Sequence, residues 1–123
     1  MNVRTGTVVV GVDGTRANRG ALRFAVEESR RWGEGLRLVH VVPDHAPISP
    51  MTPVLVPGDL TAAGESILAQ ATGEVRILGP DIEFDAWLRH GVCSTELIRA
   101  AEGARVLVLG RDDRAILHRI VVG

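Results

Sequence analysis

Two short clusters of glycine and acidic residues offer the chain's clearest prospects for chemistry. Gly11-Val12-Asp13-Gly14 follows an apolar run near the N-terminus, and Gly110-Arg111-Asp112-Asp113 follows another near the C-terminus. Glycines let backbone N–H groups approach phosphate oxygens, and a carboxylate accepts hydrogen bonds from hydroxyl or amine groups. The two clusters therefore raise the hypothesis of a phosphate-containing ligand.

The other reactive side chains form no pattern that is typical of catalysis or metal binding. Four histidines are dispersed along the chain, namely His40, His45, His90 and His118. No pair of them has the i,i+4 spacing of helical metal ligands, and His40 is interpreted as a core or rim residue rather than a base. Ser94 and Thr95 lack a nearby His–Asp pair, so a catalytic triad is not supported. We therefore assign no catalytic residue and no metal ligand among them.

Cys93 is the only cysteine, which excludes an internal disulfide and a thiolate metal site. It stands at a predicted helix start, a position that can lower the pKa of a thiol. A small packed residue is the favoured interpretation, because free cysteines are usually buried. A lone cysteine also favours a reducing, cytosolic compartment.

The composition argues against several classes of partner. The formal net charge is −1 and aromatic residues make up 3% of the chain, so neither a basic patch nor a stacking platform for nucleic acid is expected. The N-terminus lacks a signal-peptide pattern, and no apolar run approaches the roughly 20 residues of a membrane span. Trp32 and Trp87 are interpreted as core or interface residues. We expect a cytoplasmic protein with no nucleic-acid or membrane partner.

Hydrophobic periodicity predicts the elements that position the two clusters. Strands are expected at Thr7–Val12, Leu36–Val42, Ile82–Leu88 and Arg105–Leu109. Helices are expected before Gly33, over Leu60–Leu78 and over Cys93–Glu102, and a proline-rich loop is expected over Asp44–Gly58. Asn18 or Thr15 is predicted to cap the first helix, which Gly33 and Gly35 should end.

This alternation predicts an α/β fold with an open parallel sheet and helices on both faces, joined by right-handed crossovers. In such sheets, ligands bind outside the carboxyl ends of the strands, where the strand order reverses. The two glycine–acid clusters should therefore meet at one edge of the sheet.

The segment VVVGVDGTRANRGALRFAVEESRRWGEGLRLVHVV, residues 8–42, resembles the opening of the universal stress protein family. The likeness extends to AEGARVLVLGR, residues 101–111, which is similar to the family's fourth strand. The resemblance implies a Rossmann-like sheet of the adenine nucleotide α-hydrolase type, with strand order 3-2-1-4. It also implies an adenine nucleotide, ATP or AMP, as the ligand.

The resemblance assigns three residues to the adenosine end of the ligand. Asp13 is expected to meet the adenine or ribose, Val12 to touch the base, and Val41 to form the wall of the adenine site. Each has a plainer interpretation that stays open. An Asp before a glycine commonly forms a turn, and the two valines could simply be core residues.

ATP-binding members of the family carry a glycine signature after the fourth strand, which implies phosphate contacts around Leu109, Gly110 and Arg111. Gly110 fits its first position, Asp113 occupies the second and Gly123 the third. The serine or threonine that should follow lies beyond the last residue. These residues complete the expected nucleotide site.

Asp113 is the main departure from that signature. Its carboxylate would repel a phosphate by about 1 kcal/mol at a few ångströms in a wet site. Arg111 and Arg114 could offset the repulsion. Alternatively, Asp112 and Asp113 could face solvent or hold Mg²⁺ through water.

Two functions from different classes remain open. The favoured one is an adenine-nucleotide-binding regulatory or sensor protein, in which ATP hydrolysis would be slow because no base or arginine finger can be assigned. The alternative is an interaction or dimerisation module of the same fold that binds no nucleotide. An enzyme of the wider nucleotide group ranks last, because GVDGTRANRG lacks the expected Ser-Gly-rich phosphate loop.

Residues 1–123 are expected to form a single universal stress protein domain that is truncated at its C-terminus. The resemblance implies a homodimer that pairs through the sheet edge, with a fifth strand taking part, and that usual fifth strand is missing here. Either the sequence is a piece of a longer protein, or Ile116–Val122 supplies a substitute strand. A bare fourth strand would otherwise invite pairing with another chain.

Overall fold

The computed structural model describes residues 7–43, 57–111 and 114–120. The elements in chain order are β1 (Val8–Gly11), α1 (Ala17–Trp32), β2 (Leu36–Val42), α2 (Pro57–Leu78), β3 (Phe84–His90), α3 (Cys93–Ala100), β4 (Val106–Arg111) and β5 (Arg114–Ile120). The strands form one sheet in the order β3-β2-β1-β4-β5. Within it, β1 pairs in parallel with β2 and β4, and β2 pairs in parallel with β3.

The two faces of this sheet are covered by different helices. Val8, Val10 and Leu38 face a core formed with α1 and α2, whereas Val9 and Leu107 face a smaller core formed with α3. These observations confirm the predicted α/β fold, the parallel order 3-2-1-4 and the helices on both faces. Among the described residues, no helix has the length and apolar character needed to cross a membrane.

A fifth strand follows β4, in line with the alternative that a substitute strand completes the sheet. Arg114–Ile120 forms β5, which pairs antiparallel with β4 from Leu107 opposite Ile120 to Gly110 opposite Leu117. The register shifts between Gly110 and Arg111. The strand is of the substitute kind anticipated for Ile116–Val122, but it begins two residues earlier. A segment that follows β4 after a short connection can pair antiparallel with it, so no crossover helix is required.

Some ends of helices and strands match the sequence expectations and others differ. Gly33 ends α1 in the left-handed conformation, with φ of 65°, as predicted. The N-cap position is Arg16 and no side chain caps it, so the predicted capping by Asn18 or Thr15 is wrong. β3 begins two residues later than expected. α2 begins at Pro57, where proline's missing N–H costs nothing because the first helical N–H groups have no partner.

The two tryptophans have different environments. Trp87 is half-buried and packs against the α3-side core, with the Arg37 and Arg89 guanidinium groups 3.5 Å and 4.2 Å from its ring centre. Trp32 is 40% exposed, and its indole N–H donates to Glu28 over 2.9 Å. Trp87 therefore fits the core interpretation, whereas Trp32 lies at the surface.

α2 packs close to the sheet at Gly64, which is buried. A Cβ atom added there would lie 2.8 Å from Cδ2 of His40 and 3.0 Å from Cδ1 of Leu88. Such contacts are too short for the side chains to stay where they are. The absence of a side chain at this position therefore sets the distance between α2 and the sheet.

We expect Gly64→Val to lower the free energy of unfolding by about 2 kcal/mol or more, because overpacking here cannot be relieved without moving the helix. Gly73→Val on the same helix is the matched control, since a Cβ at Gly73 meets nothing within 4 Å. Urea denaturation of both variants measures the difference. Equal stability of the two variants would show that α2 moves freely.

Candidate functional site

A cavity of about 280 Å³ opens at the carboxyl ends of β1, β2 and β4. It lies where the strand order of the sheet reverses, between β1, which leads to α1, and β4, which follows α3. Its lining includes five residues that the sequence assigned to a ligand: Val12, Asp13, Val41, Leu109 and Gly110. The glycine–acid clusters therefore located two of the three strand ends that form this cavity, and the resemblance supplied Val41 at the third.

Of the other predicted site residues, only Arg111 is within the described part of the chain. Arg111 is the last residue of β4 and pairs with Arg114 across the β4–β5 ladder. Asp112, Asp113 and Gly123 lie outside the described residues. Among the residues that are described, no group of three metal-binding side chains is found.

Asn18 connects the end of β1 to the first turn of α1. Its side-chain N–H donates to the Gly11 carbonyl over 2.9 Å, and its Oδ1 accepts from the Asp13 backbone N–H over 3.3 Å. Only 5% of Asn18 is exposed. The sequence suggested a capping role for this residue and missed its actual one, because capping and bridging asparagines look alike in a sequence.

Asp13 forms an internal turn and also borders the cavity. Its Oδ1 accepts hydrogen bonds from the Thr15 backbone N–H over 2.8 Å and from the Thr15 hydroxyl over 2.7 Å. Both bonds use the same oxygen, so Oδ2 carries neither of them. The two interpretations that the sequence left open for Asp13, a turn-forming residue and a residue that contacts a ligand, are therefore compatible.

The side chain of His40, on β2, holds the same turn through a hydrogen bond. Its Nδ1 lies 2.6 Å from the carbonyl oxygen of Val12, so this nitrogen carries a proton and donates it. The Val12 backbone N–H in turn donates to the Val39 carbonyl over 2.8 Å. His40 is half-buried, which agrees with its interpretation as a core or rim residue.

Cys93, at the start of α3, also lines the cavity. The residue is exposed, so the favoured interpretation of a packed cysteine is wrong. Partial burial of the thiol against the cavity wall raises its pKa, and the nearby Asp13 carboxylate raises it further. The lowered thiol pKa considered from the sequence is therefore wrong as well, and Cys93 contributes a neutral, polarisable surface.

The family comparison extends over nearly the whole chain. The sequence pattern of the universal stress protein family matches residues 5–123. The chain belongs to this family. A comparison with curated proteins yields no match.

Solved universal stress proteins share the fold of this one. A member of the family from Burkholderia pseudomallei superposes with a TM-score of 0.66 at 22% identity, over 85% of this chain and 81% of the other. A universal stress protein from Archaeoglobus fulgidus in complex with dAMP gives 0.60 at 24%, over 88% and 80%. One in complex with cAMP gives 0.64 at 18%, over 85% and 73%.

We expect Asn18→Ala to lower the free energy of unfolding by about 1–3 kcal/mol, because the Gly11 carbonyl and the Asp13 N–H lose a buried partner. Chemical denaturation measures this loss. Ser66→Ala, on the exposed side of α2, is the control and should change stability little. A loss no larger than that of the control would contradict a bridging role for Asn18.

The raised pKa of Cys93 predicts slow alkylation at neutral pH. The rate of reaction with iodoacetamide should rise with pH, because only the thiolate reacts. The midpoint of this rise should lie at a higher pH than that of N-acetylcysteine. Asp13→Asn should move the midpoint back toward lower pH, since it removes a like charge. A midpoint at or below that of N-acetylcysteine would contradict this assignment.

Proposed function

We propose that this universal stress protein binds an adenine nucleotide in the cavity at the carboxyl ends of β1, β2 and β4 and serves a regulatory or sensor role. The observation that carries the proposal is the carboxylate of Asp13 beside an apolar wall. Such a combination suits a flat, weakly polar base attached to a hydroxylated sugar. The dAMP and cAMP complexes of structurally similar family members support the same choice of ligand.

The walls of the cavity suit the adenine base. Val41 and Leu109 border it from β2 and β4, and Leu97 borders it from α3. Gly11 has no side chain, and a Cβ there would lie 2.8 Å from Leu109 and 3.3 Å from Leu97. Its glycine therefore lets these two leucines close in around the position of the base.

The carboxylate of Asp13 supplies the polar contact. Because Thr15 holds Oδ1, the carboxylate is oriented before a ligand arrives, and Oδ2 can accept a hydrogen bond from a ribose hydroxyl or the adenine amine. Orienting the acceptor in advance reduces the entropy lost on binding.

The phosphate end of the site favours a short nucleotide. The cavity of about 280 Å³ lies just below the usual range for ligand pockets, about 300–1,000 Å³. Pairing of β5 with β4 commits part of the backbone after Gly110 to the sheet. With Asp113 in place of a signature glycine, we infer a preference for AMP over ATP and no requirement for Mg²⁺.

Binding without turnover fits the residues of the site. The described lining has a carboxylate that is engaged in a turn, a histidine that is engaged with backbone and a neutral thiol. A nucleotide sensor needs no general base, and any ATP hydrolysis would be slow. The lone cysteine is consistent with a sensor that works in the cytosol.

Isothermal titration calorimetry with AMP and with ATP tests this proposal. We expect saturable binding of AMP, and Asp13→Ala should weaken it at least about tenfold, because a hydrogen bond to a charged group is lost. Glu65→Ala is the matched control, since it removes an exposed carboxylate from α2 away from the cavity. Absence of saturable AMP binding at about 1 mM, or equal affinity in the Asp13 variant, would refute the proposal.

A second function is favoured by the edges of the sheet. In the described chain β3 and β5 are the outer strands, and each pairs with a neighbour on one side only. An interaction module could extend the sheet through either edge into a homodimer. Sedimentation velocity over a range of concentrations tests this alternative. A dimer that forms without nucleotide would support it, and a monomer at about 100 μM would exclude it.

A further inference from the structure

A second cavity, of about 240 Å³, lies on the opposite face of the sheet between α1 and α2. Its apolar floor consists of Val12, Leu22 and Ala71, all of which belong to the core formed with these helices. Gly14 has a φ of 80°, and a Cβ atom added there would lie 3.0 Å from Cγ1 of Ile67. The cavity exceeds the engineered cavity of about 150 Å³ that accommodates benzene, so a small metabolite fits within it.

Opposite charges stand close together at the rim of this cavity. Arg19 on α1 and Glu74 on α2 approach to 3.8 Å, with 73% and 27% of their side chains exposed. That separation is too long for a hydrogen bond, and an exposed pair of this kind contributes little to stability. A ligand can therefore separate the two groups at small cost.

Two further polar side chains border the same cavity. Arg16 and Gln70 both line the cavity. In the part of the chain that the structure describes, neither side chain has a hydrogen bond or an ion pair. Two guanidinium groups, the Glu74 carboxylate and the amides of Gln70 and Asn18 thus border the cavity, and the Asn18 amide is already bonded to backbone. This combination offers paired sites for an anion and a cation above a hydrophobic surface.

The geometry points to a binding site for a small α-amino acid with a short aliphatic side chain. Its carboxylate would take charge-assisted hydrogen bonds from Arg16 and Arg19, and its ammonium group would bind Glu74. An α-amino acid carries both charges on one carbon, which matches rim charges that stand only 3.8 Å apart. The aliphatic side chain would then lie on the floor formed by Leu22 and Ala71.

This site is separate from the proposed nucleotide site, although the two share a wall. Val12 lines both cavities, and Thr15 lines the second one while donating two hydrogen bonds to Asp13 in the first. Binding of an amino acid does not require Asp13, so the experiment below does not depend on AMP binding.

Titration of the ¹⁵N-labelled chain with L-alanine, L-valine and L-leucine, followed by NMR, tests the inference. We expect saturable shifts of the Gly14, Thr15 and Ala71 amides for at least one of them, with a Kd below about 1 mM. Isovalerate, which lacks the ammonium group, and isobutylamine, which lacks the carboxylate, should bind at least about tenfold more weakly than L-valine.

Matched variants separate recognition by charge from adventitious binding. Glu74→Gln and Arg19→Gln should each weaken amino-acid binding at least about fivefold, and Glu65→Gln, elsewhere on α2, should leave it unchanged. Thermal unfolding of each variant checks that the fold persists. Glu74→Gln tests the contact with the ammonium group, and Arg19→Gln tests the contact with the carboxylate. The inference is overturned if none of the three amino acids binds saturably with a Kd below about 1 mM. Equal binding of isovalerate and L-valine, or wild-type affinity in both rim variants, would overturn it as well.

Discussion

Burial of the central strand on both faces is the constraint on which the rest of the molecule depends. Val8, Val9 and Val10 of β1 are completely inaccessible to solvent and alternate between the two cores. A strand in this position leaves no room for an exposed polar side chain along its length. Polar chemistry can therefore begin only where β1 ends, and Asp13 is the first charged residue beyond that point.

Three hydrogen bonds hold the chain as it leaves the sheet. Asn18 binds the Gly11 carbonyl, His40 binds the Val12 carbonyl, and the Val12 N–H binds Val39. Backbone groups that would otherwise be buried without partners are thus satisfied from α1 and from β2. The turn that carries Asp13 is thus fixed by hydrogen bonds from neighbouring residues, which is how a precise site is usually supported.

The sequence predicted most of the fold but less of the site. Periodicity reports burial, so it located the parallel strands and the helices to within a few residues. It could not report that Asn18 reaches back to β1 instead of capping a helix, because that choice depends on a distant carbonyl. The exposure of Cys93 depends on how α3 sits over the sheet, and β5 depends on local pairing with β4. Neither relationship is encoded in a single periodic pattern.

The placement of β1 also affects the order in which the chain can be assembled. β2 follows β1 closely and can pair with it as soon as α1 forms, but β4 lies about a hundred residues further along the chain. Synthesis proceeds at about 5–20 residues per second, so the edge of β1 that pairs with β4 remains unpaired for several seconds. Nascent chains of this protein are consequently exposed to edge-to-edge association until the last quarter of the sequence emerges.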